Sequence, residues 1–195
     1  VTTVFLVRHG LTALTASTLV GWTPGVSLDA KGRAQAEAVA TRLRPIAFST
    51  IVSSPLERCR ETAEAIAADR AEPAPPFEID ERLGDVRYGD WTGRAFKELR
   101  RDPRWKTIHA DAGAFRFPNG EALREMGART VAAVRDWTER LGPDAVYCVV
   151  SHADPIRAIL ADALGLGFEG YVRLAVGPAS VSVVHYAATG ATVLR

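Results

Sequence analysis

The sequence predicts an α/β protein, a three-layer α/β/α sandwich around a mostly parallel central sheet, and three observations carry that prediction. Short continuous apolar runs recur at Thr3 to Val7, Ser49 to Ser53 and Ala145 to Val150, the pattern of strands covered on both faces. Helical spacing separates these runs, and strand, helix, strand, helix is the order a parallel sheet requires. The 195 residues suit one core rather than two, so a single domain is expected over 1–195.

In chain order, the first strand stops at Arg8-His9-Gly10. From Asp29, a residue suited to capping a helix, Ala34, Ala38, Val39 and Leu43 recur at helical spacing until Pro45 ends the pattern. After the second strand, Ser54-Pro55-Leu56-Glu57 combines a cap residue, a proline at the first helical position and the glutamate of a capping box. A helix is therefore expected to start there, with Arg58 in its first turn. The proline-rich stretch from Ala71 to Phe77 reads as a connector within the domain. Residues 80 to 118 mix glycines and aromatics with short helical patches and read as a lid-like insertion over the sheet. Gly120 to Leu141 reads as a long amphipathic helix. Asp154-Pro155 opens another towards Leu164, with Asp154 as its cap. The tail from Tyr171 contains two or three strand-like runs broken by Gly177-Pro178 and Gly190.

Composition narrows the function. Hydrophobic residues make up 47% and charged residues 24%, the balance of a globular protein, and a net charge of +1 calls for no nucleic acid or anionic membrane as partner. Lys31, Lys97 and Lys106 are the only lysines, so the positive charge is carried by arginine, whose planar fork matches phosphate and carboxylate oxygens. Cys59 and Cys148 show no paired or metal-like spacing and read as reduced, buried residues. The apolar N-terminal run is too short for a membrane span and has no basic leader, which makes the cytoplasm the expected location.

Open parallel sheets bind ligands beyond the carboxyl ends of their strands. Three such exits carry groups suited to phosphate: Arg8-His9-Gly10, Ser53-Ser54 leading to Arg58, and Ser151-His152. Two arginines can grip a phosphate dianion, and a helix N-terminus at Pro55 adds N–H donors. A neutral imidazole beside them is a competent nucleophile towards phosphorus. Gly10 is read as letting the backbone pass close to the ligand.

These segments resemble a known family. Leu6-Val7-Arg8-His9-Gly10, Leu28-Asp29-Ala30-Lys31-Gly32-Arg33-Ala34-Gln35-Ala36, Ser53-Ser54-Pro55-Leu56-Glu57-Arg58 and Val150-Ser151-His152 are similar to the four motifs of the histidine phosphatase superfamily, in its phosphoglycerate-mutase-like branch. The resemblance implies a phosphoglycerate-mutase-like fold, with His9 as the phosphorylated nucleophile and Arg8, Arg58 and His152 as the phosphate pocket. It implies no metal and no organic cofactor. Thr15, Gly21 and Tyr88 complete the expected substrate-binding set. Thr15 stands where the family usually has asparagine. Asp85 falls at the position of the family's glutamate proton donor, one methylene shorter, so either the backbone approaches more closely, helped by Gly84, or a water intervenes; Asp80, Glu81 and Asp90 compete for the role. Trp22, Tyr88 and Trp91 are open to a pocket or a packing role, whereas His109 and His185 lack motif context and read as structural.

The implied activity is a metal-independent, histidine acid phosphatase-like phosphomonoesterase acting on small phosphorylated metabolites. The alternatives are a phosphomutase of the phosphoglycerate mutase type and a phospho-ligand binding protein with weak turnover. The uncharged Val86 after Asp85 favours the phosphatase, while Arg87, Arg94, Lys97, Arg100, Arg101 and Arg104 are candidates for selecting an anionic substrate. A small-molecule phosphomonoester is the expected partner, and a homodimer is possible.

Overall fold

In the computed structural model, which describes residues 1–70 and 73–195, six strands form one sheet in the order β3-β2-β4-β1-β5-β6. The strands are β1 (Thr2–Arg8), β2 (Ile51–Ser53), β3 (Phe77–Ile79), β4 (Val146–Ser151), β5 (Val181–Ala187) and β6 (Gly190–Val193). β1 to β4 run parallel to one another, and the terminal β5-β6 hairpin is antiparallel to them. Of residues 71 to 77, read as connector from the sequence, 71 and 72 lie outside the described residues. The stretch ends in β3, a short edge strand that the sequence does not announce because Phe77 and Ile79 are exposed and show no core-facing pattern.

The helices that build the layers are α1 (Ala30–Leu43), α2 (Glu57–Ala68), α5 (Leu123–Leu141) and α6 (Ala153–Ala163), with α3 (Phe96–Leu99), α4 (Trp105–Ala110) and α7 (Phe168–Tyr171) as short pieces. Successive side chains of a strand point to opposite faces, and β1 shows the consequence. Val4 and Leu6 pack with Val134, Trp137, Ile156 and Ile159 of α5 and α6, while Val7 packs with Val39, Leu43, Cys59 and Ile66 of α1 and α2. Helices thus cover both faces of a mixed, mostly parallel sheet. Cys59 and Cys148 are free thiols in the second of these layers.

Local signals hold at some helix starts and shift at others. Asp29 caps α1, its carboxylate accepting from Gly32 N at 2.7 Å. α5 starts at Leu123, where the Glu125 side chain accepts from Ala122 N at 3.0 Å. α2 begins later than its sequence suggests: Leu56 is the extended cap residue, Pro55 precedes the helix, and Glu57 accepts from Gly25 N at 2.8 Å instead of closing a capping box. The Ser54 hydroxyl lies 2.8 Å from His152 Nε2 and accepts only a long bond of 3.4 Å from Leu56 N, so its main partner is across the sheet rather than in the helix. Arg58 still falls in the first turn.

Residues 81 to 117 hold two 3-10 turns, α3 and α4, and their aromatics form a third cluster around the fully buried Trp91 with Val86, Tyr88, Phe115 and Phe117. This cluster abuts α6 through Ala158 and Ala161.

Candidate active site

Strand register explains why three distant segments meet. Arg8 pairs with Ser151 across β1 and β4, and Ser53 pairs with Val150 across β2 and β4, so the carboxyl ends of the three parallel strands lie side by side. His9 N–H donates to Ser151 O at 3.1 Å, continuing the ladder one residue past the strand. Beyond this edge opens a cavity of about 400 Å³ that takes in Arg8, His9, Thr15, Arg58, Asp85, Tyr88, His152, Asp154 and Arg157.

The exit of β1 is held from below by glycines. A Cβ on Gly10 would lie 2.5 Å from Gly32 O, and one on Gly32 would lie 1.9 Å from Leu11 O. The second motif therefore supports the first: α1 presses Gly32 against Gly10-Leu11, Gln35 Oε1 accepts from Leu11 N at 2.9 Å, and Thr62 of α2 accepts from Gly10 N at 3.2 Å. Gly10 is required by this helix contact rather than by a ligand, and it does not line the cavity.

His9 has a defined tautomer. Its Nδ1 lies 2.7 Å from Gly10 O, and a carbonyl can only accept, so Nδ1 carries the proton and Nε2 keeps its lone pair. Burial, reinforced by the Arg58 charge, brings its pKa down to about 3, so the ring is neutral. The His152 ring packs edge-on at 5.1 Å between centroids. His152 is likewise held neutral, by burial and then by Arg58. Its Nδ1 accepts from Arg58 Nη2 at 3.2 Å, which makes Nε2–H the donor to Ser54 Oγ.

Arg58 is fully buried, and its Nη2 shares its two N–H groups among Gly21 O at 2.9 Å, Asp85 Oδ2 at 3.2 Å and His152 Nδ1 at 3.2 Å. Arg8 donates to Val176 O at 2.7 Å through Nη1. Arg8 Nε and Arg58 Nη1 are buried donors with no hydrogen-bond partner among the described residues. Buried guanidinium N–H groups are rarely left so, and together they are suited to an oxyanion.

Among the competing carboxylates, Asp85 alone reaches the cavity. Asp80 is held by Arg82 and Trp137, Asp90 by Asn119, and Glu81 is exposed. Burial raises the Asp85 pKa, partly countered by Arg58, and Asp154 pushes it further up. Its backbone is gripped: Trp22 Nε1 and Arg129 Nη2 both donate to Asp85 O, at 2.6 and 2.8 Å, and Arg129 Nη1 donates to Gly84 O at 2.8 Å. Gly84 is needed because a Cβ there would meet Trp22 at 2.2 Å. Arg129 is invisible as a site residue in the sequence, since it sits mid-helix among many arginines.

Other expected residues separate. Thr15 lines the cavity, with its Oγ1 accepting from Thr12 N at 2.9 Å. Tyr88 lines it and donates to Asp154 Oδ2 at 3.1 Å. Gly21 does not line it; it contributes a carbonyl to Arg58 from a φ of +52°, with Tyr88 against the space a Cβ would fill. Trp91 is core, and Trp22 packs beneath the Arg87 guanidinium at 3.9 Å outside the cavity. His109, read as structural, lies at the cavity rim against Trp105. Asp154 is not a helix cap: His152 caps α6, and Asp154 occupies its first turn facing the cavity. Of the six basic residues singled out at 87–104, none lines the cavity, whereas Arg157 does. Its position three residues after Asp154 is the signal that could have found it. Among the described residues, no group of three or more His, Cys, Asp or Glu side chains is placed to hold a metal ion, and no helix is long and apolar enough to cross a membrane.

Comparison with known proteins bears on the family and the fold. The chain is 32% identical over 188 residues to "Probable phosphoglycerate mutase GpmB" of Yersinia enterocolitica, covering 94% of this chain and 84% of the relative. Against some other curated relatives at 32% identity, the chain spans 53% of their length. The fold matches Bacillus stearothermophilus YhfR with a TM-score of 0.89 at 24% identity, covering 100% of this chain and 96% of that one. It also matches the mycobacterial glucosyl-3-phosphoglycerate phosphatase Rv2419c with a TM-score of 0.82 at 26% identity, covering 93% and 89%. The model of the histidine phosphatase superfamily (branch 1) matches residues 4–195, and the chain belongs to that family.

Proposed function

We propose that the chain is a phosphomonoesterase that hydrolyses small phosphorylated metabolites through a phosphohistidine at His9. The observation that carries this reading is the fixed neutral tautomer of His9, whose free Nε2 lies in a cavity with Arg8, Arg58 and His152. In the first step the Nε2 lone pair attacks phosphorus in line, the N–P bond forms, and the ester P–O bond breaks. The guanidinium groups stabilise the equatorial oxygens, and protonated Asp85 gives its proton to the leaving alkoxide. In the second step Asp85 takes a proton from water as the water oxygen attacks phosphorus, and the P–N bond breaks to release phosphate. The raised pKa of Asp85 supports this role, because it favours the protonated form that the first step needs.

In this reading arginine supplies the charge neutralisation, so the chemistry is that of a histidine acid phosphatase without a metal. The only partner it needs is a small-molecule phosphomonoester, with no nucleic acid or membrane, and the cytoplasm is its proposed location. The mutase alternative draws support from the name of the Yersinia relative. Hydrolysis is favoured because Val86 is buried in the aromatic cluster and the basic residues of the 87–104 segment stay outside the cavity.

Brief incubation with a radiolabelled phosphomonoester should trap an acid-labile label on His9, with net release of inorganic phosphate in the presence of EDTA. Full turnover by His9→Ala, or a label mapped to His152, overturns the reading. A magnesium or zinc requirement overturns its metal independence.

A further inference from the structure

Asp154 and Arg157 are the charged groups of the cavity that the proposed mechanism does not use. They stand one turn apart on α6, joined by a 3.1 Å ion pair, and both face the cavity. Asp154 is fixed in that direction: Tyr88 OH donates to its Oδ2 at 3.1 Å, and the Tyr171 phenol interacts with the same carboxylate. Arg157 spends Nη1 on Asp154, while its Nε is buried without a hydrogen-bond partner among the described residues. Around them the wall is apolar, with Leu19, Val20, Phe96, Trp105 and Ile108.

We propose that Asp154, paired with Arg157, is a specificity determinant that admits phosphomonoesters of uncharged alcohols and rejects those carrying a second anionic group. This rests on the phosphatase reading for the direction in which substrate lies, with its phosphate on Arg8 and Arg58 and its alcohol towards α6. The guanidinium of Arg157 is neutralised by its partner, so a substrate carboxylate drawn to Arg157 also meets the carboxylate of Asp154. A hydroxyl meets no such conflict. It can donate to an Asp154 oxygen and accept from Arg157 Nε, a buried donor suited to a neutral oxygen. The Asp154 and Arg157 charges offset each other, so a second anionic group loses its hydration without gaining a net ion pair, which discriminates by about tenfold or more.

Glycerol 3-phosphate and 3-phosphoglycerate test this directly, because they share a three-carbon skeleton and differ by a CH₂OH in place of a carboxylate. Inhibition constants against p-nitrophenyl phosphate turnover read binding whether or not either ester is itself hydrolysed. Wild type should bind glycerol 3-phosphate about tenfold or more tightly than 3-phosphoglycerate. The near-isosteric Asp154→Asn should bring the ratio towards unity, and Arg157→Gln, which unmasks the carboxylate, should widen it. Thermal denaturation confirms that each variant is folded. Equal or tighter binding of 3-phosphoglycerate by wild type, or an unchanged ratio in Asp154→Asn, overturns the proposal. Absence of p-nitrophenyl phosphate turnover would instead sink the phosphatase reading, and calorimetric titration with the same two esters would then decide this one.

Discussion

The Arg58 guanidinium lies 3.2 Å from the Asp85 carboxylate, tying a residue of the α2 first turn to one 27 positions later in the cavity wall. The pair joins the phosphate-binding side of the cavity to its proposed acid. Burial raises the Asp85 pKa while Arg58 opposes that rise, so Asp85 can alternate between acid and base.

Loss of Asp85 should be read through the leaving group. An alkyl alkoxide needs a proton in the transition state, so Asp85→Asn should cost about 10²–10⁴ in rate on an alkyl phosphate. p-Nitrophenolate leaves unaided and should suffer far less in the first step, showing a burst of p-nitrophenol before slow turnover. Equal losses on both substrates without a burst would assign Asp85 a structural role.

Arg129 should behave as a positioning residue for Asp85. It holds the carbonyls of Arg82, Gly84 and Asp85 and is itself braced by Glu121 at 2.7 Å. Arg129→Met should lower kcat on alkyl phosphates with little change in KM and a smaller effect on p-nitrophenyl phosphate. A uniform loss across both substrates would indicate general destabilisation instead.

Acid should destabilise the fold through its buried histidines. His9, with a pKa near 3 against an ordinary 6.5, binds fewer protons folded than unfolded, so its contribution is present above 6.5 and is lost as pH falls below it. His152 shifts in the same direction, while Asp85, raised from 3.8, acts oppositely and loses stability as pH rises. Each buried histidine steepens the acid loss by up to about 1.4 kcal/mol per pH unit. Urea denaturation at pH 7.5 and pH 5 should therefore show a smaller loss for His9→Gln than for wild type. Matching losses would show that His9 is not held neutral.

Gly32→Ala separates helix propensity from packing. Alanine in a helix interior is worth about 1 kcal/mol over glycine. Here the new Cβ would lie 1.9 Å from Leu11 O, a backbone atom that cannot swing away, and overpacking costs about 1–3 kcal/mol or more. Packing should win, lowering the melting temperature by several degrees and, through Leu11 and Gly10, reducing turnover. A stabilised variant with normal activity would refute this account of the second motif.

Much of the architecture was legible because it is local. The covered strands announced themselves as apolar runs, Asp29 as a cap, and Arg8, His9, Arg58 and His152 as polar groups at strand exits. Legibility failed where a side chain has a distant partner. Ser54 looks like a helix cap until its hydroxyl is found on His152, and Gly10 looks like a ligand contact until Gly32 is found 2.5 Å from where its Cβ would be. Asp154 looks like a cap until Tyr88 and Arg157 are found on its carboxylate.

The α/β alternation and the residue types at each strand end follow from periodicity and chain-local chemistry, so both can be read along the chain. The entry of β4 between β1 and β2 is a property of the folded chain, and this insertion sets Arg8 beside Ser151 and Ser53 beside Val150. Folding also selects which acid reaches the cavity, because Asp80, Glu81, Asp85 and Asp90 share one segment and similar local signals. What separates them is burial beside Arg58 and the grip of Trp22 and Arg129 on one backbone carbonyl, and these are long-range interactions that no local pattern encodes.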